Sequence, residues 1–232
     1  MSDGPLILGL EAATGVCSVA VSRGASLLAH QRRPVRASTG ELLEMVNAVL
    51  ADSGVPRSAL DAVAVGRGPG GFTGVRVAIG VAQGIALGLD RPAIPVSTLH
   101  ILAETMAADP AADSAPPAGF CAVLDARMGE VYTAGFAFQP DHRYRTVAVG
   151  DERLQSPDSL MALPRHWWMG GSGLGAYPQA PARLGGQWVP DAIPDITAAM
   201  ALVQARFEAG AVVDAKSLQP RYLRDRVARR PA

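Results

Sequence analysis

GRGPGGFTGVRVAIGVAQGIALGL, running from Gly66 to Leu89, is the stretch on which the fold turns. Its first nine residues hold five glycines and one proline. So many glycines sacrifice unfolded-chain entropy with no packing return, unless another chain segment must approach closely. The residues just before it, Ala62 to Gly66, are a short apolar run that reads as a buried strand, and Val75 to Leu89 reads as a helix by length and composition. Thr73 stands where it would cap that helix. The unit is therefore strand, glycine turn, helix.

The helix carries more information than the turn. Between Val75 and Leu89 only Arg76 and Gln83 are polar, and a helix apolar nearly all round is expected to be covered on both sides. Gly80, Gly84 and Gly88 recur every four residues, and each costs ~1 kcal/mol against alanine in a helix interior. A close neighbour along that ridge would account for them. The neighbour is either another part of this chain, such as the preceding helix, or a second subunit, and the pattern leaves both open. The turn has two readings as well. Amides at a helix start bind anions, but this turn lacks the Lys-Ser/Thr ending of a phosphate-binding loop and the spacing of a dinucleotide fingerprint. A structural or partner-facing turn is the main expectation, with phosphate binding as the alternative.

Upstream, Leu6 to Leu10 ends at the acid Glu11, Cys17 to Val21 follows a turn containing Gly15, and Leu27 to Gln31 follows Arg23-Gly24. These runs predict three antiparallel strands. Ser38 and Glu41 can form a capping box ahead of a helix over Thr39 to Ser53, which Gly54 closes. Its apolar residues Leu42, Leu43, Met45, Val46, Val49 and Leu50 span an arc of about 160°, more than one sheet contact needs. Something beyond the home sheet is expected on its shoulder. These six, together with Arg76, Gly80, Gln83, Gly84, Leu87 and Gly88, are the candidate partner interface.

Downstream, Ala93 to Val96 predicts a strand and Thr98 to Ala108 a helix, and the aperiodic DPAADSAPPAG segment reads as a linker. The expected organisation is an N-terminal subdomain over 1–108, a linker over 109–118, and a smaller, less regular subdomain over 119–232. The second part restarts the pattern of the first: an apolar run, Phe120 to Leu124, ends at Asp125, and a strand over Val131 to Phe138 follows Gly129. Asp125 and Gly129 repeat Glu11 and Gly15 at a spacing of 114 residues, as a duplicated unit would. Further on, short strands are expected near Trp167 to Met169, then a glycine-rich turn at Gly170 to Gly175 and a helix from Ile196 to Ala209.

Composition limits the function classes. The 232 residues are 49% hydrophobic, which is enough for a sizeable core, and their formal charge of zero provides no global field for nucleic acid or a lipid surface. The longest apolar stretch falls short of the roughly 20 residues that span a bilayer. The N-terminus does not read as a signal peptide, and two cysteines in apolar runs, Cys17 and Cys121, are too few for a disulfide framework. The expected setting is cytoplasmic. His30, His100, His142 and His166 have no ligand spacing, and Ser172 has no nucleophile elbow. Glu11 and Asp125 are either turn-stabilising acceptors or carboxylates orienting a metal-bound phosphate, with Thr14, Gly70 and Gly71 as its other candidate contacts. RYLRDRVARR near the C-terminus has five arginines against Asp225. It is a solvated tail or a contact with RNA or an acidic partner.

Taken together, these residues resemble the TsaB family of bacterial tRNA threonylcarbamoyladenosine synthesis. Gly66 to Leu89 is similar to its most distinctive stretch, Asp125 to Tyr132 (DARMGEVY) to its second, and Pro220 to Arg224 with Val227-Ala228 to its C-terminal motif. The resemblance runs from Leu6 to about Ala228. It implies an α/β, actin-like (ribonuclease-H-like) fold of two related subdomains, and a non-catalytic scaffold that dimerises with the catalytic TsaD subunit through the first two long helices. It also implies a TsaE ATPase partner, a homodimer when the chain is alone, indirect contact with tRNA, and no membrane role. By the same resemblance no cofactor is bound by this chain alone, and ATP and Mg belong to the complex. Glu11 stands where the family usually has Asp, Gly71 where Ser is common, and Ser38 where His is frequent. The rival from another class is an ATP-dependent phosphotransferase or nucleotide hydrolase of the actin-like superfamily, using Glu11 and Asp125.

Overall fold

The computed structural model describes residues 4–34, 38–109, 112, 116–160, 166–179 and 187–224. Half of the expected linker, and Val227-Ala228 with the final arginines, lie outside the described residues.

The first sheet contains β1 (Leu6–Glu11), β2 (Cys17–Arg23), β3 (Ser26–Arg33), β4 (Ala62–Gly66) and β5 (Ala93–Val96), in the order β3-β2-β1-β4-β5. β1 pairs antiparallel with β2 and parallel with β4, and β4 pairs parallel with β5. The second sheet contains β6 (Gly119–Arg127), β7 (Glu130–Phe138), β8 (Thr146–Ala148), β10 (Trp167–Gly170) and β11 (Gln187–Val189), and β9 (Arg153–Gln155) pairs off this path with β7. Read from β8, its order is β8-β7-β6-β10-β11. β6 is antiparallel to β7 and parallel to β10, which is parallel to β11. The two sheets thus share one five-strand topology, and Glu11 and Asp125 occupy matching places near the ends of their first strands.

Helices form where the local signals put them. In α1 (Thr39–Ser53) the Ser38 hydroxyl accepts from the Glu41 amide and donates to the Glu41 carboxylate, while Gly54 closes the helix at φ 66°. α2 spans Phe72–Leu89, three residues longer at its start than the apolar run suggested. Its N-cap is Gly71 with no side-chain cap, and Thr73 lies inside the first turn, so Thr73 is not the cap. α3 (Thr98–Ala107) is capped by Ser97, whose hydroxyl accepts from Leu99 and His100 amides. The short α4 (Ser172–Ala176) follows β10. The last helix, α5, covers only Met200–Glu208, because residues 196–199 form turns.

Both faces of the first sheet are covered, as its central parallel strands require. One face packs Leu8, Leu10, Val63 and Val65 against Leu42, Met45, Val46 and Val49 of α1 and Val75, Ala78 and Ala82 of α2. The other packs Ile7, Ala64, Ile94 and Val96 against Ile196, Met200 and Val203. Residues 196–218 therefore leave the second half, to which the sequence pattern assigned them, and cover the first sheet. α3 makes the opposite crossing. Its Leu99, Leu102 and Met106 pack on Phe120, Leu124, Phe136 and Trp168 of the second sheet.

Candidate functional site

The glycine turn closes on its own chain. Glu11, at the end of β1, is fully buried, and its carboxylate accepts from the Ala13 amide and, at 2.9 Å, from the Thr98 hydroxyl. That hydroxyl also accepts from the Gly68 amide at 3.2 Å, so Glu11 links β1, the glycine turn and the start of α3. Burial pushes the Glu11 carboxyl up to about 7, with the bonds from Ala13 and Thr98 pulling the other way. A Cβ at Gly66 would lie 1.9 Å from Glu11 Oε2, one at Gly70 2.7 Å from Ala13 Cβ, and one at Gly74 1.9 Å from the Ala12 carbonyl oxygen. The glycines are where they are because the turn after β1 presses against them.

This geometry bears directly on the phosphate-contact residues. The Gly71 amide donates to the Ala13 carbonyl at 2.7 Å and is not free for an anion. Thr14 Oγ1 is engaged with the backbone of Val16 at 3.4 Å. Asp125 accepts from the Arg127 amide at 2.8 Å and pairs with the Arg127 guanidinium at 3.0 Å, within a turn where Arg127, Met128 and Gly129 all have positive φ. Among the described residues no hydrogen bond or ion pair joins Asp125 to Glu11.

The helix face behaves differently from the expectation of two-sided cover. α2 buries Val75, Ala78, Ile79, Val81, Ala82, Ile85 and Ala86 and exposes the opposite side. By length and composition it could cross a membrane, but that buried face lies in the core of the first half. Phe72, Arg76, Gly80, Gly84, Leu87 and Gly88 are exposed, and a Cβ added at any of the three glycines would meet nothing within 4 Å. Among the described residues no intramolecular neighbour fills the ridge. The preceding helix touches α2 elsewhere, which accounts for the wide apolar arc of α1.

The α1 part of the expected interface needs correction. Leu42, Met45, Val46 and Val49 are completely buried and Leu50 nearly so, all inside the first core. They are unavailable to a partner; only Leu43, half-buried, reaches the surface. Gln83 is also committed, its amide donating to the Ala215 and Leu218 carbonyls at 3.2 and 3.0 Å.

Two contributors escaped the sequence reading. Phe72 extends the ridge by one i, i+4 step, and its ring carries the Arg76 guanidinium at 3.2 Å. The Tyr222 ring lies 5.0 Å from the same guanidinium. The series Phe72, Arg76, Gly80, Gly84, Gly88 was a legible signal for the first; nothing local announced the second. The segment holding Tyr222 runs between the two halves. Arg221 donates its amide to the Arg67 carbonyl at 2.9 Å, and Arg224 pairs with Glu130 at 2.7 Å and donates to the Ala126 carbonyl at 3.1 Å.

Two sheets of one topology, each opening with a hairpin and continuing into parallel strands, make this an actin-like α/β protein of two related ribonuclease-H-like units. The family model for TsaD, tRNA N6-adenosine threonylcarbamoyltransferase, matches residues 33–171. A tRNA threonylcarbamoyladenosine biosynthesis protein TsaB of Escherichia coli strain K12 is 34% identical over 96% of both chains. Its namesake in Haemophilus influenzae is 32% identical over 95% of this chain and 94% of its own. The solved structure of YeaZ from Pseudomonas aeruginosa superposes with a TM-score of 0.83 at 33% identity, covering 94% of this chain and all of that one. The chain carries the TsaD-type domain and belongs to the TsaB family.

Proposed function

We propose that this chain is a non-catalytic scaffold and activator in tRNA threonylcarbamoyladenosine synthesis, docking a TsaD-type catalytic subunit on the exposed face of α2. The observation that carries the reading is the ridge of Gly80, Gly84 and Gly88, which is solvent-facing with nothing within 4 Å of any Cβ position. A glycine in a helix interior costs ~1 kcal/mol, and among the described residues no packing offsets this cost along the ridge. A second backbone lying close along the ridge does so, and an apolar helix in a groove is a recurrent docking mode. The relatives' names supply the pathway.

In this reading the catalytic subunit performs the transfer, and a TsaE-type ATPase joins the pair. ATP and Mg are held within the complex, and tRNA is met chiefly through the partner. The chain acts in the cytoplasm and pairs with a second copy of itself when the partner is absent. Engagement of both Glu11 carboxylate oxygens by Ala13 and Thr98 supports the lack of metal-phosphate chemistry in this chain. Reconstitution tests it. The TsaD-type and TsaE-type subunits with tRNA, a threonylcarbamoyl donor and ATP should form the modified nucleoside only when this chain is added. Full modification without it would remove the activator role.

A further inference from the structure

Three arginines distant in sequence, half-buried Arg67 and Arg206 and exposed Arg221, are anchored at the carboxyl ends of β4 and β5, the side of an open α/β sheet where ligands bind. Arg67 follows β4, and its amide donates to the Val96 carbonyl at 2.8 Å. One residue away, the Pro95 carbonyl accepts from Arg206 Nη1 at 2.7 Å. Arg221 is tied to the same point through its amide bond to the Arg67 carbonyl, and its Nε lies 3.9 Å from Glu152 Oε2. Glu152 comes from the second half, just before β9.

The charges there do not balance. Among the described residues the Arg67 guanidinium makes no hydrogen bond or ion pair, although the residue is half-buried. Arg206 is also half-buried; desolvation and then the Arg67 charge lower its proton affinity. Glu152 is the carboxylate paired to this group, and its buried Oε2 has no hydrogen bond. Like charges held partly out of water are unfavourable unless a counter-charge is supplied. The guanidinium fork suits a phosphate oxyanion, which it can grip through two bonds.

We infer that Arg67, Arg206 and Arg221 form an oxyanion site at the junction of the two halves, taking a phosphate-type group, with Glu152 as a built-in competitor. Titration calorimetry of the full chain at low salt, with inorganic pyrophosphate, tripolyphosphate and magnesium-free ATP, tests it. Wild type should take up one pyrophosphate per chain. Arg67→Gln should weaken uptake at least about tenfold, as loss of a charge-assisted bond does, with the unliganded melting temperature held. Glu152→Gln should tighten it, and the exposed Arg23→Gln should leave it unchanged. ATP binding tighter than tripolyphosphate would assign the site to a nucleotide, and equal affinity to the phosphate alone. No saturable uptake of any of the three by wild type, or undiminished uptake by Arg67→Gln, overturns the site.

Discussion

Replacing Gly84 by leucine separates folding from docking, because the two effects have opposite signs. In the isolated chain a Cβ at position 84 meets nothing within 4 Å. Leucine is a good helix former and glycine a poor one, so the change should stabilise the lone chain by about 0.7 kcal/mol. For a protein of this size that raises the melting temperature by about 2 °C. On the docking face the same side chain adds four carbons where backbones must approach. Overpacking at a closely packed contact costs about 1–3 kcal/mol, and four carbons belong at the upper end, so affinity for the TsaD-type subunit should fall about a hundredfold. Melting of the isolated chain by calorimetry and titration against the immobilised partner measure both quantities. A fall of several degrees in melting temperature would mean that the ridge has a neighbour within the chain. An unchanged dissociation constant would mean that the ridge is not where the partner docks.

The other glycines and the buried groups give sharper contrasts. Gly74→Ala drives a Cβ to 1.9 Å from the Ala12 carbonyl oxygen, so denaturant unfolding should show a loss of about 3 kcal/mol; Gly80→Ala, in open space, should instead gain up to ~1 kcal/mol. Leu42→Ala opens a cavity at a fully buried position. It should cost about 2–5 kcal/mol while leaving partner affinity per folded molecule intact, and a selective loss of affinity would return Leu42 to the interface. Glu11, raised from 4.5 to about 7, binds its proton more tightly folded than unfolded. Its stabilising effect is complete below pH 4.5 and is lost as pH rises through 7, by about 3 kcal/mol in total. The stability of Glu11→Gln relative to wild type should therefore climb between pH 4.5 and 7 and then level off; a flat difference across that range would refute the assignment.

What could be read in the sequence was whatever a few consecutive residues decide. Ser38 with Glu41 and Gly54 mark both ends of α1 because each makes its bonds within four residues of itself. The acid-glycine repeat at Glu11 and Asp125 located the two hairpins from which both sheets grow. The same local logic misplaced the start of α2. Thr73 has the side chain of a cap, but Gly71 occupies the position, because the turn packs against Ala13 and sets where helical geometry begins.

The sequence by itself determined the alternation of strands and helices, the duplicated plan, the glycine turn and the existence of a glycine ridge. Tertiary structure alone decided which side of α2 is covered, since a helix apolar all round carries no pattern to choose a face, and only the path of the sheet and α1 selects it. It also decided that Leu42, Met45, Val46, Val49 and Leu50 lie inside, that residues 196–218 return to the first sheet, and that Arg67, Arg206 and Arg221 are held near one another. These outcomes depend on contacts between segments up to about two hundred residues apart, whose cost is loop closure and whose reward is a common core. No local window records either quantity, which is why the ridge was legible in the sequence and its exposure was not.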